Sequence, residues 1–221
     1  MAKKQHRTPV PGPPFIRLLA ALADRNAPRT GPELSDRLSQ WIDWTRAVAL
    51  SRALDGRLPE ALAAAPAGLA ALAEECARVR ATLVQSIQHT PDPAVPVKID
   101  PIAFRQRCLT VQRAMLTATG RLRGQLRDQL SLAPGDLPRL AEVDAAMEQA
   151  LSPREQQLLA SVPALLGAHF ERLRDEAGDD GVDPEASWLQ IFRNDMQAVL
   201  MAELDVRFHP IEGLLAALRP H

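Results

Sequence analysis

The chain has 221 residues, enough for one large helical domain or two small ones around a sizeable core. Hydrophobic residues make up 46% and charged residues 24% with a net charge of −1, so no global field drives it to nucleic acid or anionic lipid, and any such binding must come from local clustering. Ala and Leu dominate the apolar content, Tyr is absent and β-branched residues are sparse, which predicts an all-α fold, a bundle of seven to nine helices.

In chain order, residues 1–12 are polar, basic and proline-broken and read as a flexible arm. The first helix is expected over about 13–24, with Phe15, Leu18, Leu19 and Leu22 at helical spacing. Thr30 and Glu33 have capping-box spacing and open a second helix to about Leu54, whose stripe includes Trp41, Thr45, Val48 and Ala49. Trp41 and Trp44 share a side of it and read either as core at a helix crossing or as a protein interface. Asp55-Gly56 ends it, and a short helical segment over 58–65 follows. A long helix over about 67–88 carries Leu69, Leu72, Cys76, Val79, Leu83 and Ile87.

Three prolines within residues 90–97 mark a linker between an N-terminal helical half, 13–89, and a C-terminal one, 98–221. The residues leave open whether the halves are separate domains or one bundle. Asp100-Pro101 is a helix start, and the stripe to about Leu130 is Phe104, Cys108, Val111, Met115, Leu122 and Leu126. A turn over 131–136 leads to a helix over about 137–150. Ser152 and Glu155 have capping-box spacing for the next helix, with Leu158, Leu159, Leu166 and His169 facing inward and Pro163 kinking it or resetting its start. After an acidic loop, a long helix reaches about Phe208 with Trp188, Ile191, Phe192, Met196, Val199, Leu200 and Leu204 inward. Pro210 is expected to break it before a short terminal helix.

Linear motifs for catalysis are missing: no nucleotide-binding glycine pattern, no H-E-x-x-H, no G-x-S-x-G. No catalytic residue, metal site or cofactor is therefore assigned, and the chain reads as non-enzymatic. His169 lies on an apolar face and reads as a hydrogen-bonded, half-buried histidine. Cys76 and Cys108 read as buried free thiols of a reducing cytosol. Asp179, Asp180 and Asp183 read as a solvated acidic loop, and Glu142, Asp144 and Glu148 as an exposed helix face.

One feature rises above this background. Between Lys98 and Leu130 seven positive residues face two negative ones, a local charge of +5. At roughly 100° per residue, Arg105, Arg113, Arg123 and Arg127 share an arc of about 80° with Arg121 at its edge, opposite the apolar stripe. Such a face suits phosphate contact and makes these five arginines candidate nucleic-acid-binding residues. The bland alternative is a solvated face, or one paired with acids elsewhere, for which the acidic stretch 171–185 is available. Aromatics are not interleaved, so no base-stacking platform is indicated.

Residues 15–24 (FIRLLAALAD), 34–54 (LSDRLSQWIDWTRAVALSRAL) and 200–218 (LMAELDVRFHPIEGLLAAL, with its overall length) carry a resemblance. They resemble a proteobacterial all-helical family catalogued only as a domain of unknown function, with structural rather than catalytic motifs. The resemblance implies a setting. Members are encoded beside inner-membrane motor proteins of the MotA/TolQ type and OmpA-like partners, a neighbourhood like Zorya-type anti-phage defence. It implies an accessory protein whose partner is a protein encoded nearby or the cytoplasmic part of a membrane motor. DNA is the other partner considered, through the arginine face. No apolar run approaches the roughly 18 residues of a membrane span, and the basic N-terminus lacks a signal peptide's apolar core. The expected location is cytoplasmic, without direct membrane insertion.

Overall fold

The computed structural model describes residues 14–22, 44–56, 68–89, 101–177 and 187–219. Every regular element among them is an α-helix, and they contain no strand. In chain order these are α1 (Pro14–Leu22), α2 (Trp44–Asp55), α3 (Leu69–Gln88), α4 (Pro101–Leu132), α5 (Leu137–Leu159), α6 (Val162–Ala177) and α7 (Ser187–Ala217). The basic arm, the proposed linker at 90–97, the segment 58–65, Trp41, the Thr30/Glu33 and Asp100 caps and the acidic loop lie outside the described residues.

The bundle is organised around α4 and α7, which pack along each other. Met115, Leu122, Leu126 and Leu130 of α4 and Leu200 and Leu204 of α7 are fully inaccessible. α3 packs on both, and so does α6; α1 lies across α6 and α7. Residues from before and after the proline-rich stretch share this one apolar core, Phe15, Leu22, Leu83 and Ile87 among them. α2 stands apart: it packs on α5, and Ala53 is its one buried side chain. Gly56 closes α2 by donating its backbone N–H to the Arg52 carbonyl at 2.8 Å. The turn expected at 131–136 occupies 133–136, α4 running on through Ser131 and Leu132, and Gly135 holds the left-handed conformation, φ +74°, that side chains resist.

Ion pairs fasten the outer helices. Arg80 of α3 reaches Asp205 (2.6 Å) and Glu212 (2.5 Å) of α7 and lies 5.2 Å above the Phe208 ring. Arg107 of α4 donates to the carbonyls of Ile87 (3.0 Å) and His89, capping the end of α3 where unpaired carbonyls favour a cation.

Three proline expectations resolve differently. Pro163 is the second residue of α6 and sets its start, the position where a missing N–H is harmless. Pro153 does not begin a helix: Ser152 to Glu155 lie inside α5, which runs on to Leu159 before the chain turns at Ala160 and Ser161. The carbonyl that Pro153 leaves unpaired belongs to Gln149, an exposed residue on the solvent side of α5. Pro210 is likewise inside α7. An interior proline costs roughly 3 kcal/mol. Continuing the helix buries Ile211, Leu214 and Leu218, each contributing about 1.5–3 kcal/mol, which outweighs that penalty. Register slips are confined to a few positions: Thr45, Leu158 and Ile191, expected inward, are exposed.

Candidate functional site

Along α4 the arginine face meets three different fates. Arg123 and Arg127, one turn apart, face Asp144 and Glu148, one turn apart on antiparallel α5. Arg123 donates to both Asp144 oxygens at 2.8 and 2.7 Å; Arg127 donates to Asp144 at 3.2 Å and to Glu148. Arg123 is 14% exposed and Asp144 11%. Burial opposes the charge on Arg123, yet the hydrogen bond and charge of Asp144, with Glu148 behind, more than offset it and raise the guanidinium's pKa. Asp144 and Glu148 are thus half of an inter-helix clamp; of the acidic face expected in the sequence, only Glu142 is exposed.

Arg121 turns the other way, to Glu75 of α3 at 2.7 Å. Hydrogen bonds from Arg78 and Arg121 hold the Glu75 carboxyl below the usual range. Among the described residues, the acids that meet the face come from α5 and α3; residues 178–185 of the acidic stretch lie outside the described residues. Arg105 and Arg113 are exposed, with no ion-pair partner among the described residues.

A second polar assembly carries no linear motif. Glu203 of α7 is completely inaccessible. One of its oxygens accepts from Arg207 Nε (3.0 Å) and Nη2 (2.8 Å), the other from Gln112 Nε2 of α4 (2.8 Å). Gln112 also donates to the Leu159 carbonyl at the end of α5 (3.1 Å). Three helices are pinned at one level. The signal lay in Glu203 and Arg207 standing four apart among the inward-facing Leu200, Leu204 and Phe208. Cys108 lies nearby, and its burial, with the Glu203 charge, pushes the thiol up to about 12. Cys76 is raised by burial and by Glu75. Both thiols are free and buried.

His169 is hydrogen-bonded, as expected, and more deeply buried than half. Its Nε2 meets Asp195 at 2.8 Å and its Nδ1 accepts from Arg172 at 2.7 Å, while Arg172 also donates to the Leu22 carbonyl at 3.0 Å. With both nitrogens engaged, this imidazole ties α6 to α7, and Arg172 beside it ties α6 to α1, rather than offering a lone pair to a substrate. Among the described residues no group of three or more His, Cys, Asp or Glu is arranged to hold a metal ion. No described helix is long and apolar enough to cross a membrane.

Of the tryptophan pair, Trp44 opens α2 with 83% of its surface exposed, so the core alternative does not apply to it.

Fold and site together define an all-helical bundle whose buried charges are mostly spent on holding helices together. The chain belongs to the family described as protein of unknown function (DUF3348), whose model matches residues 1–220. No curated protein and no solved structure matches it.

Proposed function

We propose that this chain is a non-enzymatic accessory or adaptor protein that acts by forming a complex with another protein. The observation that carries this is Trp44, a large amphipathic ring standing 83% exposed on a helix that the core barely holds. Tryptophan is the residue most enriched among energetic anchors of protein interfaces. Leu54, 50% exposed on the same helix, adds to the apolar surface. The setting implied by the family resemblance supplies the partner class: a protein encoded nearby, or the cytoplasmic part of a proton-driven membrane motor, in an anti-phage defence system. The test is co-purification of the tagged chain with its neighbouring gene products. The complex should survive purification and be lost on Trp44→Ala. Recovery as a free monomer with every neighbour overturns the reading.

The alternative, nucleic-acid binding by the arginine face, draws on Arg105 and Arg113. It must also break the carboxylate pairs of Arg121, Arg123 and Arg127 before those side chains reach phosphate. A mobility shift at low salt, abolished by reversing Arg113, Arg123 and Arg127 together to Glu, would favour it.

A further inference from the structure

α4 presents one continuous face, and among the described residues only part of it is covered. At roughly 100° per residue, Arg105, Leu109, Arg113 and Leu116 fall on the same arc of about 80° as Arg123 and Arg127. Over the second half of α4, α5 lies on this arc, meeting the two arginines with its acids. α5 then ends: the Leu159 carbonyl receives the Gln112 amide, so its last turn stands level with Gln112 of α4. Beyond that level, toward the start of α4, no described helix lies on the arc. Leu158 beside the break is 63% exposed, and Arg105 and Arg113 are exposed without an ion-pair partner among the described residues, with half-buried Leu109 between them. α6 departs along the flank, where Pro163 and Leu166 border a narrow crevice with Phe104 and Arg105.

We infer that the first half of α4 is a docking strip for an acidic amphipathic helix of another protein, seated end to end with α5 on the same face. The protein carries its own template for the contact. Asp144 and Glu148, four apart, answer Arg123 and Arg127, four apart. Arg105 and Arg113 are eight apart and call for carboxylates two turns apart, with an apolar residue between them to cover Leu109. From Arg105 to Arg113 is about 12 Å of helix, so three to four turns of a partner span the strip. The inference rests on the adaptor reading above and gives it a second surface, remote in sequence from Trp44.

The test uses the full chain and a fluorescein-labelled designed helical peptide of about 16 residues, with two Glu eight apart and Leu on the same face. The peptide is expected to bind and to be weakened by salt. Arg105→Glu with Arg113→Glu should lose roughly threefold to tenfold in affinity. A charge-swapped peptide with Lys for Glu should bind that double variant better than the native chain. Both positions are exposed, and unchanged thermal unfolding of the variant verifies that it folds. Equal binding of both peptides to both proteins overturns the strip, as does binding relieved by Trp44→Ala instead. Preferential, strip-dependent binding to phosphatidylglycerol vesicles would replace the helix by a lipid surface, and strip-dependent dimers in light scattering would replace it by a second copy; either overturns the proposal. If a native partner complex persists in the double variant and the swap fails, the strip is wrong while the adaptor reading stands.

Discussion

The two halves of α4 carry similar residues on one face, and only their surroundings differ. In the second half, Arg123 and Arg127 are largely buried under α5 and matched to two carboxylates. In the first half, Arg105 and Arg113 stand in solvent. An arginine arc on a helix is thus not one signal. Where a neighbouring helix brings acids at the same spacing, the arc becomes a clamp; where that helix stops, it remains surface. The point of change is the Gln112–Leu159 contact, anchored by buried Glu203 and Arg207.

That anchor gives the largest expected effect. Arg207→Leu would leave Glu203 fully buried without its cation, a loss of about 3–5 kcal/mol. Glu203→Leu with Arg207→Leu should recover most of it, because two matched apolar side chains impose no desolvation penalty. Urea denaturation of the three proteins measures this. A double variant as unstable as the single one would show that the network does more than satisfy its own charges.

The clamp comes next. Asp144→Ala removes the acid shared by Arg123 and Arg127 and should cost about 1–3 kcal/mol, the range for hydrogen bonds to charged groups. Glu148 still serves both arginines, so the loss should stay below that of Arg207→Leu. Stability indistinguishable from native would mean that α5 is held by its apolar contacts alone.

These networks mark what the sequence made legible. Helical stripes on α3, α4 and α7 predicted their buried faces because 3.6-residue periodicity is local information. The partners of Arg121, Arg123 and Arg127 were not local. Asp144 and Glu148 lie about 20 residues away and Glu75 lies 46 away, so only the antiparallel return of α5 and the seating of α3 identify them. Pro153 and Pro210 misled for a related reason: a proline's local penalty is visible in sequence, but the burial that outweighs it at Pro210, or the solvent side of α5 on which it falls at Pro153, is not. Glu203 and Arg207 were readable as an i,i+4 pair among inward-facing positions; that Gln112 of α4 meets them, 91 residues away, was not.

Cys108 connects the anchor to pH. Its folded pKa is about 12, above the ordinary 9.0, so the folded state holds the thiol proton more tightly than the unfolded one. The resulting stability is fully present below pH 9.0 and is lost as pH rises toward about 12. The stability gap between the native chain and Cys108→Ala should therefore narrow over that window, measured by urea unfolding at three pH values. A gap constant with pH would place the thiol outside the influence of burial and Glu203.

The smallest effect discriminates most directly between the two halves of α4. Arg105→Ala and Arg113→Ala remove exposed side chains that meet no carboxylate among the described residues, so each should change stability by no more than about 0.5 kcal/mol. Arg123→Ala, the same chemical change on the same arc, leaves Asp144 short of its closest donor and should cost several times as much. Salt should separate the pairs further: screening weakens the contribution of exposed charge more than that of a clamp only 11–28% exposed. Thermal unfolding at two ionic strengths reads both contrasts. A loss at Arg105 or Arg113 equal to that at Arg123 would mean that another part of the chain already covers the first half, leaving no face there for a partner.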